Sequence, residues 1–179
     1  YLNYLAYKGS GKLTGTKLKS NDLELDIDND GIANLGGYLM LRKLTARGKG
    51  LTKISGVHSN YLSVMIGGQA QVEMKGKTNL RELGINGSGR FNMYWVKGPL
   101  LKLRAHGNST VQLAGVVEKL DVELYDTAHF EGRYLRANRA FVKTFDEAVA
   151  KISALKRQHT LASDHSDIYF YSLADMRTD

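Results

Sequence analysis

The chain has no cysteine, a single proline and no long apolar run among its 179 residues. Without cysteine there are no disulfides and no thiolate metal sites, although the compartment stays open. The lone proline, Pro99, leaves strands uninterrupted, while nineteen glycines supply many bends. No stretch reaches the about 20 apolar residues of a membrane-spanning helix, and no run resembles a signal peptide. Five histidines are present, none paired at a helical metal spacing. The formal charge is +7. Residues 1–90 hold 13 Lys/Arg against 7 Asp/Glu, and residues 91–179 hold 12 against 11. A basic half suits lipid phosphates, acidic glycans or nucleic acid. No nucleic-acid motif accompanies it, so nucleic acid is not an expected partner.

What the chain does have is a repeat of about 20 residues, the mark of a solenoid. Leu83 to Met93, Leu103 to Leu113 and Val122 to Gly132 each run as alternating apolar and polar residues, a small turn cluster, then alternation again. Nine copies align on an inward anchor before the turn: Tyr7, Ile27, Gly48, Ile66, Ile85, Ala105, Leu124, Thr144 and Ala162. Six residues later come Leu13, Ala33, Ile54, Val72, Phe91, Val111, Phe130, Ala150 and Ile168. Apolar side chains at every second position share one face of a strand, and stacked copies line them into a continuous core.

The turn columns are narrower still. Two residues after the anchors stand Gly9, Asn29, Gly50, Gly68, Gly87, Gly107, Asp126, Asp146 and Asp164. These are the residue types that best tolerate a left-handed backbone. Two further on stand Gly11, Gly31, Thr52, Ala70, Gly89, Ser109, Ala128, Ala148 and Ser166, all small. The simplest reading is one tight bend per coil, with close backbone approach where bends stack. Positive φ is expected from Gly50 through Asp164 in the first column. Phe145 to Lys156 reads as helix by propensity alone, but Ala150 and Ile152 fall on inward columns, so strand-turn-strand is expected there.

Charges on outward columns check the register. Arg104, Glu123 and Lys143 follow one another in successive coils, as do Asp26 and Arg47, Lys102 and Asp121, and Glu131 and Lys151. Strands about 4.8 Å apart would set these pairs face to face.

The recurring strand, small-residue turn and strand, as in Ile85-Asn86-Gly87-Ser88-Gly89, resembles the bacterial autotransporter adhesin head domain, also called the GIN domain. Val142 to Ala148 and Ala162 to Tyr171 are similar to its closing coils, and the resemblance runs from Leu23 to Tyr171. It implies a right-handed β-solenoid in an envelope or secreted bacterial protein, and it brings no catalytic set. The more charged stretch from Asp22 to Lys53 departs from it.

Candidate chemistry is sparse. Asp126, Asp146 and Asp164 would offer oxygens to a cation, which needs six to eight ligands for calcium. The plainer reading is that each stands in for Gly and bonds its own turn. His106, His129 and His165 fall in or beside turns of different coils, with His129 and Asp167 two coils apart. Asp121, Glu123 and Glu131 face basic partners rather than a cleft, so neither a metal nor a catalytic residue is expected. Gly87-Ser88-Gly89 leads into a strand, unlike a phosphate loop. Outward aromatics and arginine remain: Tyr94, Arg133, Tyr169 and Tyr171, with Tyr125 and Phe145 at the turn edge. Such surfaces suit sugar stacking or protein contact, although ordinary cross-strand pairing accounts for them too.

The sequence therefore reads as an all-β, right-handed, single-stranded β-solenoid of about nine coils, a single domain over residues 1–179 cut from a longer chain. The expected role is a non-enzymatic scaffold or binding domain, without cofactor or metal, in the cell envelope (periplasm or outer surface) or secreted. Its expected partner is a glycan or protein on a cell surface, engaged by Tyr94, Arg133, Tyr169 and Tyr171. A carbohydrate-active enzyme on the same fold and a purely structural envelope domain are the alternatives.

Overall fold

The computed structural model describes residues 1–172, so the chain end at Asp179 lies outside the described residues. Ten strands follow in order: β1 (Tyr4–Gly9), β2 (Lys12–Asn29), β3 (Ile32–Arg47), β4 (Leu51–Ile66), β5 (Gln71–Ile85), β6 (Arg90–Ala105), β7 (Thr110–Leu124), β8 (His129–Thr144), β9 (Val149–Ala162) and β10 (Asp167–Phe170). They form one sheet in sequence order. Every neighbouring pair is parallel. A parallel sheet in which each strand pairs with the next is a solenoid, because the chain returns to the same side after each circuit. The helix-like stretch after Phe145 is a turn followed by β9, as the inward columns require.

The register matches the sequence columns in every coil but the third. Tyr7 pairs with Ile27, and Ile27 pairs with Ala46 rather than Gly48. From Ala46 the column continues through Ile66, Ile85, Ala105, Leu124, Thr144 and Ala162. The third anchor is thus Ala46, and Thr52, not Ile54, stands between Ala33 and Val72. Ile54 belongs to the next inward column, opposite Leu35 and Met74. Glycines at both Gly48 and Gly50 allow the sequence to be aligned either way. Packing removes the ambiguity, since a two-residue slip keeps the inward face but misplaces the bend.

The core is a set of stacked columns. Phe91, Val111 and Phe130 are successive register partners and fully buried. Burying one such phenylalanine is worth about 1.5–3 kcal/mol. Column volumes compensate one another. A Cβ on Gly132 would come within 2.4 Å of the Phe130 ring, so the glycine makes room for that ring. Residues of the first coil, such as Leu5, Tyr7 and Leu13, are only partly buried.

At the main bend, positive φ occurs at Gly48 (92°), Gly68 (65°), Gly87 (103°), Gly107 (72°), Asp126 (58°), Asp146 (57°) and Asp164 (61°). With the third coil corrected, Gly48 replaces Gly50 in the expected column. Asn29 does not share the left-handed backbone. It is buried and bonds through Oδ1 to the Gly31 N–H at 2.7 Å. The aspartates do not bond their own turns. The Asp126 carboxylate accepts from Gly107 N at 2.8 Å, Asp146 from Asp126 N at 2.9 Å, and Asp164 from Asp146 N at 3.1 Å. Each carboxylate therefore satisfies a backbone donor in the coil before it.

The expectation of one bend per coil is too few. Register shifts recur near Gly15/Leu18, Gly36/Leu39, Ser55/Val57, Lys75/Thr78, Met93/Val96 and Gln112/Gly115, marking a second corner. Two backbone forms alternate there. Lys17, Gly56 and Trp95, 39 residues apart, have φ of 57°, 72° and 67°. Gly37, Gly76 and Gly115, also 39 residues apart, have φ of 149°, 151° and 143°. The latter glycines are sterically required. A Cβ on Gly37, Gly76 or Gly115 would lie 2.1, 1.9 or 1.9 Å from the carbonyl oxygen of Leu18, Val57 or Val96. The structural repeat at this corner is therefore a pair of coils.

Candidate functional site

The second corner carries outward side chains from successive, parallel-paired coils. Lys75 pairs with Tyr94 across β5 and β6. Tyr94 and Trp95 are 44% and 68% exposed. Thr78 pairs with Val96, and the register shift between these two pairs sets Gly76 and Lys77 of β5 opposite the single residue Trp95 of β6. Lys97 follows on β6. All three lysines are exposed, and among the described residues none of them forms an ion pair. Upstream along the same corner lies a groove of about 320 Å³, whose walls include Gly36, Lys53, Ser55, Glu73 and Lys75. It exists because Gly36 and Ser55 put almost no side chain on the outer column. Within it Lys53 approaches Glu73 at 3.8 Å.

A second cluster sits where the same corner meets the last coils. The Arg133 guanidinium lies over the Tyr134 ring at 4.7 Å and the Tyr171 ring at 5.4 Å. On the intervening strand β9, Ser153 is buried and stands opposite Arg136 in register. Tyr169, half exposed, pairs with Lys151, which binds Glu131 at 3.2 Å. Of the four residues singled out by sequence, the structure brings Arg133 and Tyr171 together and sets Tyr169 beside them. Tyr94 stands two coils away, with Ala114 between it and Arg133, a gap of about 10 Å at the usual strand spacing. Sequence reasoning missed Trp95 and Tyr134. Trp95 is the sole tryptophan, but its corner position is visible only once the second bend is known.

The other outer faces are knit by charge. Arg104 binds Asp121 at 3.4 Å and Glu123 at 3.2 Å. Lys143 lies opposite Glu123 in register, yet that carboxylate is already taken by Arg104 and by the Tyr125 hydroxyl at 3.1 Å. Burial first, and this hydrogen bond second, push the Tyr125 hydroxyl above the usual tyrosine range. Arg47 sits opposite Asp28 rather than Asp26, because of the third-coil shift, and still reaches Asp26 diagonally at 2.8 Å. Arg42 binds Asp22 and Glu24 at 2.9 and 3.3 Å. Such exposed pairs each contribute about 0.2–1 kcal/mol.

Ring stacking completes the ladder at the turn edge. His106, Tyr125 and Phe145 stack in sequence, with centroids 4.4 and 5.0 Å apart and planes within 9°. Phe141 lies between Lys119 at 4.7 Å and His159 at 5.1 Å, beside a furrow of about 310 Å³. His129 and Asp167 flank Val149 on opposite sides, two strands apart. Burial, and then Lys151, hold His129 below the usual histidine range, against a smaller opposing pull from Glu131. No group of three or more His, Cys, Asp or Glu able to hold a metal occurs among the described residues.

Residues 62–172 match the family model described as "putative auto-transporter adhesin, head GIN domain". That stretch contains Tyr94, Trp95, Arg133, Tyr169 and Tyr171, whereas Gly36, Lys53 and Ser55 of the groove precede it. No curated protein matches the sequence.

Proposed function

Because the chain belongs to the auto-transporter adhesin head GIN domain family, we propose that it is a non-enzymatic binding domain of the bacterial cell envelope or outer surface. It engages a glycan or another surface polymer along the second corner of the solenoid. The observation that carries this reading is the gathering of aromatic and cationic side chains on that corner: the exposed Tyr94 with Lys75, and the half-buried Arg133 and Tyr171 with the exposed Tyr134 and the nearby Tyr169. Aromatic faces stack on sugar rings, and guanidinium and ammonium groups hold acidic or hydroxyl substituents.

The shape of the molecule favours a polymer. A stacked solenoid with a filled interior offers a long face, and the grooves on it are open furrows. Repeated weak contacts along such a face gain strength by effective concentration. The best outward carboxylates, Asp121, Glu123 and Glu131, hold arginine or lysine partners. This supports a surface that binds rather than cleaves.

The test is a glycan array, read alongside anionic vesicles, with the purified chain and its Tyr94→Ala and Arg133→Ala variants. Binding that rises steeply with immobilised glycan density and falls in either variant is the expected result. Capture by no glycan at all would overturn the reading. So would new reducing ends or unsaturated products from a bound polysaccharide, lost on changing one outward carboxylate.

A further inference from the structure

Trp95 is the residue that the fold does not explain. It sits at φ 67°, in the left-handed region that β-branched and bulky residues avoid. The same corner two coils earlier is made by Gly56 at φ 72°, so the bend itself asks for nothing larger than glycine. Here a tryptophan occupies it, and 68% of its surface is in solvent. An indole that is strained and buries little contributes little to the core. Backbone strain held at an exposed aromatic is the pattern of a functional position.

Its surroundings are cationic. Lys75 and Lys77 stand on the neighbouring coil beside Tyr94 and Trp95, and Lys97 follows two residues after Trp95. The nearest carboxylate along the groove, Glu73, faces Lys53 at 3.8 Å. We infer that Trp95 and Tyr94 form a stacking platform, ringed by Lys75, Lys77 and Lys97, for an acidic polysaccharide laid across the coils. The indole face takes the apolar face of a pyranose ring, and the lysines take its carboxylate or sulfate groups. Gly36, which has no side chain, and the small Ser55 continue the path as the groove of about 320 Å³, with Lys53 on its wall. Stepping from coil to coil by about 4.8 Å, the corner matches a chain that runs across the strands.

This inference rests on the binding role proposed above and deepens it to one ligand class and one anchor. Trp95 is the chain's only tryptophan, so tryptophan emission, excited where the ten tyrosines do not absorb, reports on this position alone. The experiment titrates the intact chain with polygalacturonate, dextran sulfate, neutral dextran and anionic phosphatidylglycerol vesicles, following tryptophan emission and, in parallel, sedimentation or interferometry. Expected is a saturable emission change with an acidic polysaccharide and a salt-sensitive affinity at least tenfold above that for dextran. Trp95→Gly should lower that affinity at least tenfold while leaving the thermal midpoint equal or higher, and Lys75→Ala with Lys77→Ala should weaken both affinity and its salt dependence.

Polymer binding by the intact chain without an emission change, or an affinity by sedimentation or interferometry that survives Trp95→Gly, would sink the inference and leave the broader binding role standing. Equal affinity for dextran, or binding to vesicles alone, would overturn the acidic-polysaccharide assignment. A large fall in the thermal midpoint of Trp95→Gly would show that the indole is structural, and would overturn it too. Failure to bind any of the polymers or glycans would remove both readings.

Discussion

Asp146 is the sharpest place to perturb the turn ladder, because one side chain holds two separable effects. Its backbone sits at φ 57°, and its carboxylate accepts the Asp126 N–H at 2.9 Å. Its own N–H is bound in turn by Asp164 at 3.1 Å. A hydrogen bond to a charged group contributes about 1.5–3 kcal/mol, and solvent exposure puts this one near about 1.5. Left-handed backbone costs a residue with a Cβ about 1–2 kcal/mol, less for Asp and Asn, and nothing for Gly. Asp146→Asn keeps an acceptor oxygen and a tolerant backbone, so it should lose no more than about 0.5 kcal/mol. Asp146→Gly loses the acceptor and relieves the backbone, but frees the unfolded chain, and should lose about 1.5 kcal/mol. Asp146→Ala loses the acceptor and keeps the strain, and should lose about 2.5 kcal/mol. The expected order of urea midpoints is therefore wild type, Asn, Gly, Ala. Solenoids can unfold coil by coil, so amide hydrogen exchange at Asp126 provides the local reading. Protection there should persist in the Asn variant and fall in the Gly and Ala variants. Equal midpoints for Asn and Ala, with Asp126 exchange unchanged, would refute the argument. The aspartates would then be mere substitutes for glycine.

Two further outcomes follow from the same geometry. Gly76→Ala would place a Cβ 1.9 Å from the Val57 carbonyl oxygen at φ 151° and should cost more than about 2 kcal/mol, whereas Gly84→Ala meets only the end of Met65 and should stay within about 1 kcal/mol in urea unfolding. His129 is held below its ordinary 6.5 by burial and Lys151, so the unfolded chain takes up the proton more readily. Its contribution to stability is whole above about pH 6.5 and is lost as pH falls towards the folded value. His129→Gln should flatten the slope of urea midpoint against pH between about 7 and 5, and an unchanged slope would count against the assignment.

The sequence alone determined the solenoid and most of its register. Inward residues alternate with outward ones, and a slipped coil would expose its apolar face, so Phe91, Val111 and Phe130 had to stack. The bend column was legible because left-handed backbone restricts residue type, and six of its seven expected members, from Gly68 to Asp164, are left-handed. The seventh failed where Gly48 and Gly50 both fit the bend. Only neighbour packing, Ile27 on Ala46, chose between them. The second corner stayed hidden because its members share no side-chain chemistry: Lys17, Gly56 and Trp95 have a backbone angle in common and nothing else. A trace existed in Gly37, Gly76 and Gly115, spaced 39 residues apart, but their need for glycine arises from a carbonyl in the coil before, a contact with no local sequence signature. The candidate site followed the same division. Tyr94, Arg133, Tyr169 and Tyr171 could be assigned to outward columns from alternation, which is a property of one strand. That Arg133 reaches Tyr171 two coils on, and that a register shift sets Gly76 and Lys77 opposite Trp95, are relations between coils, and only the stacked structure sets them.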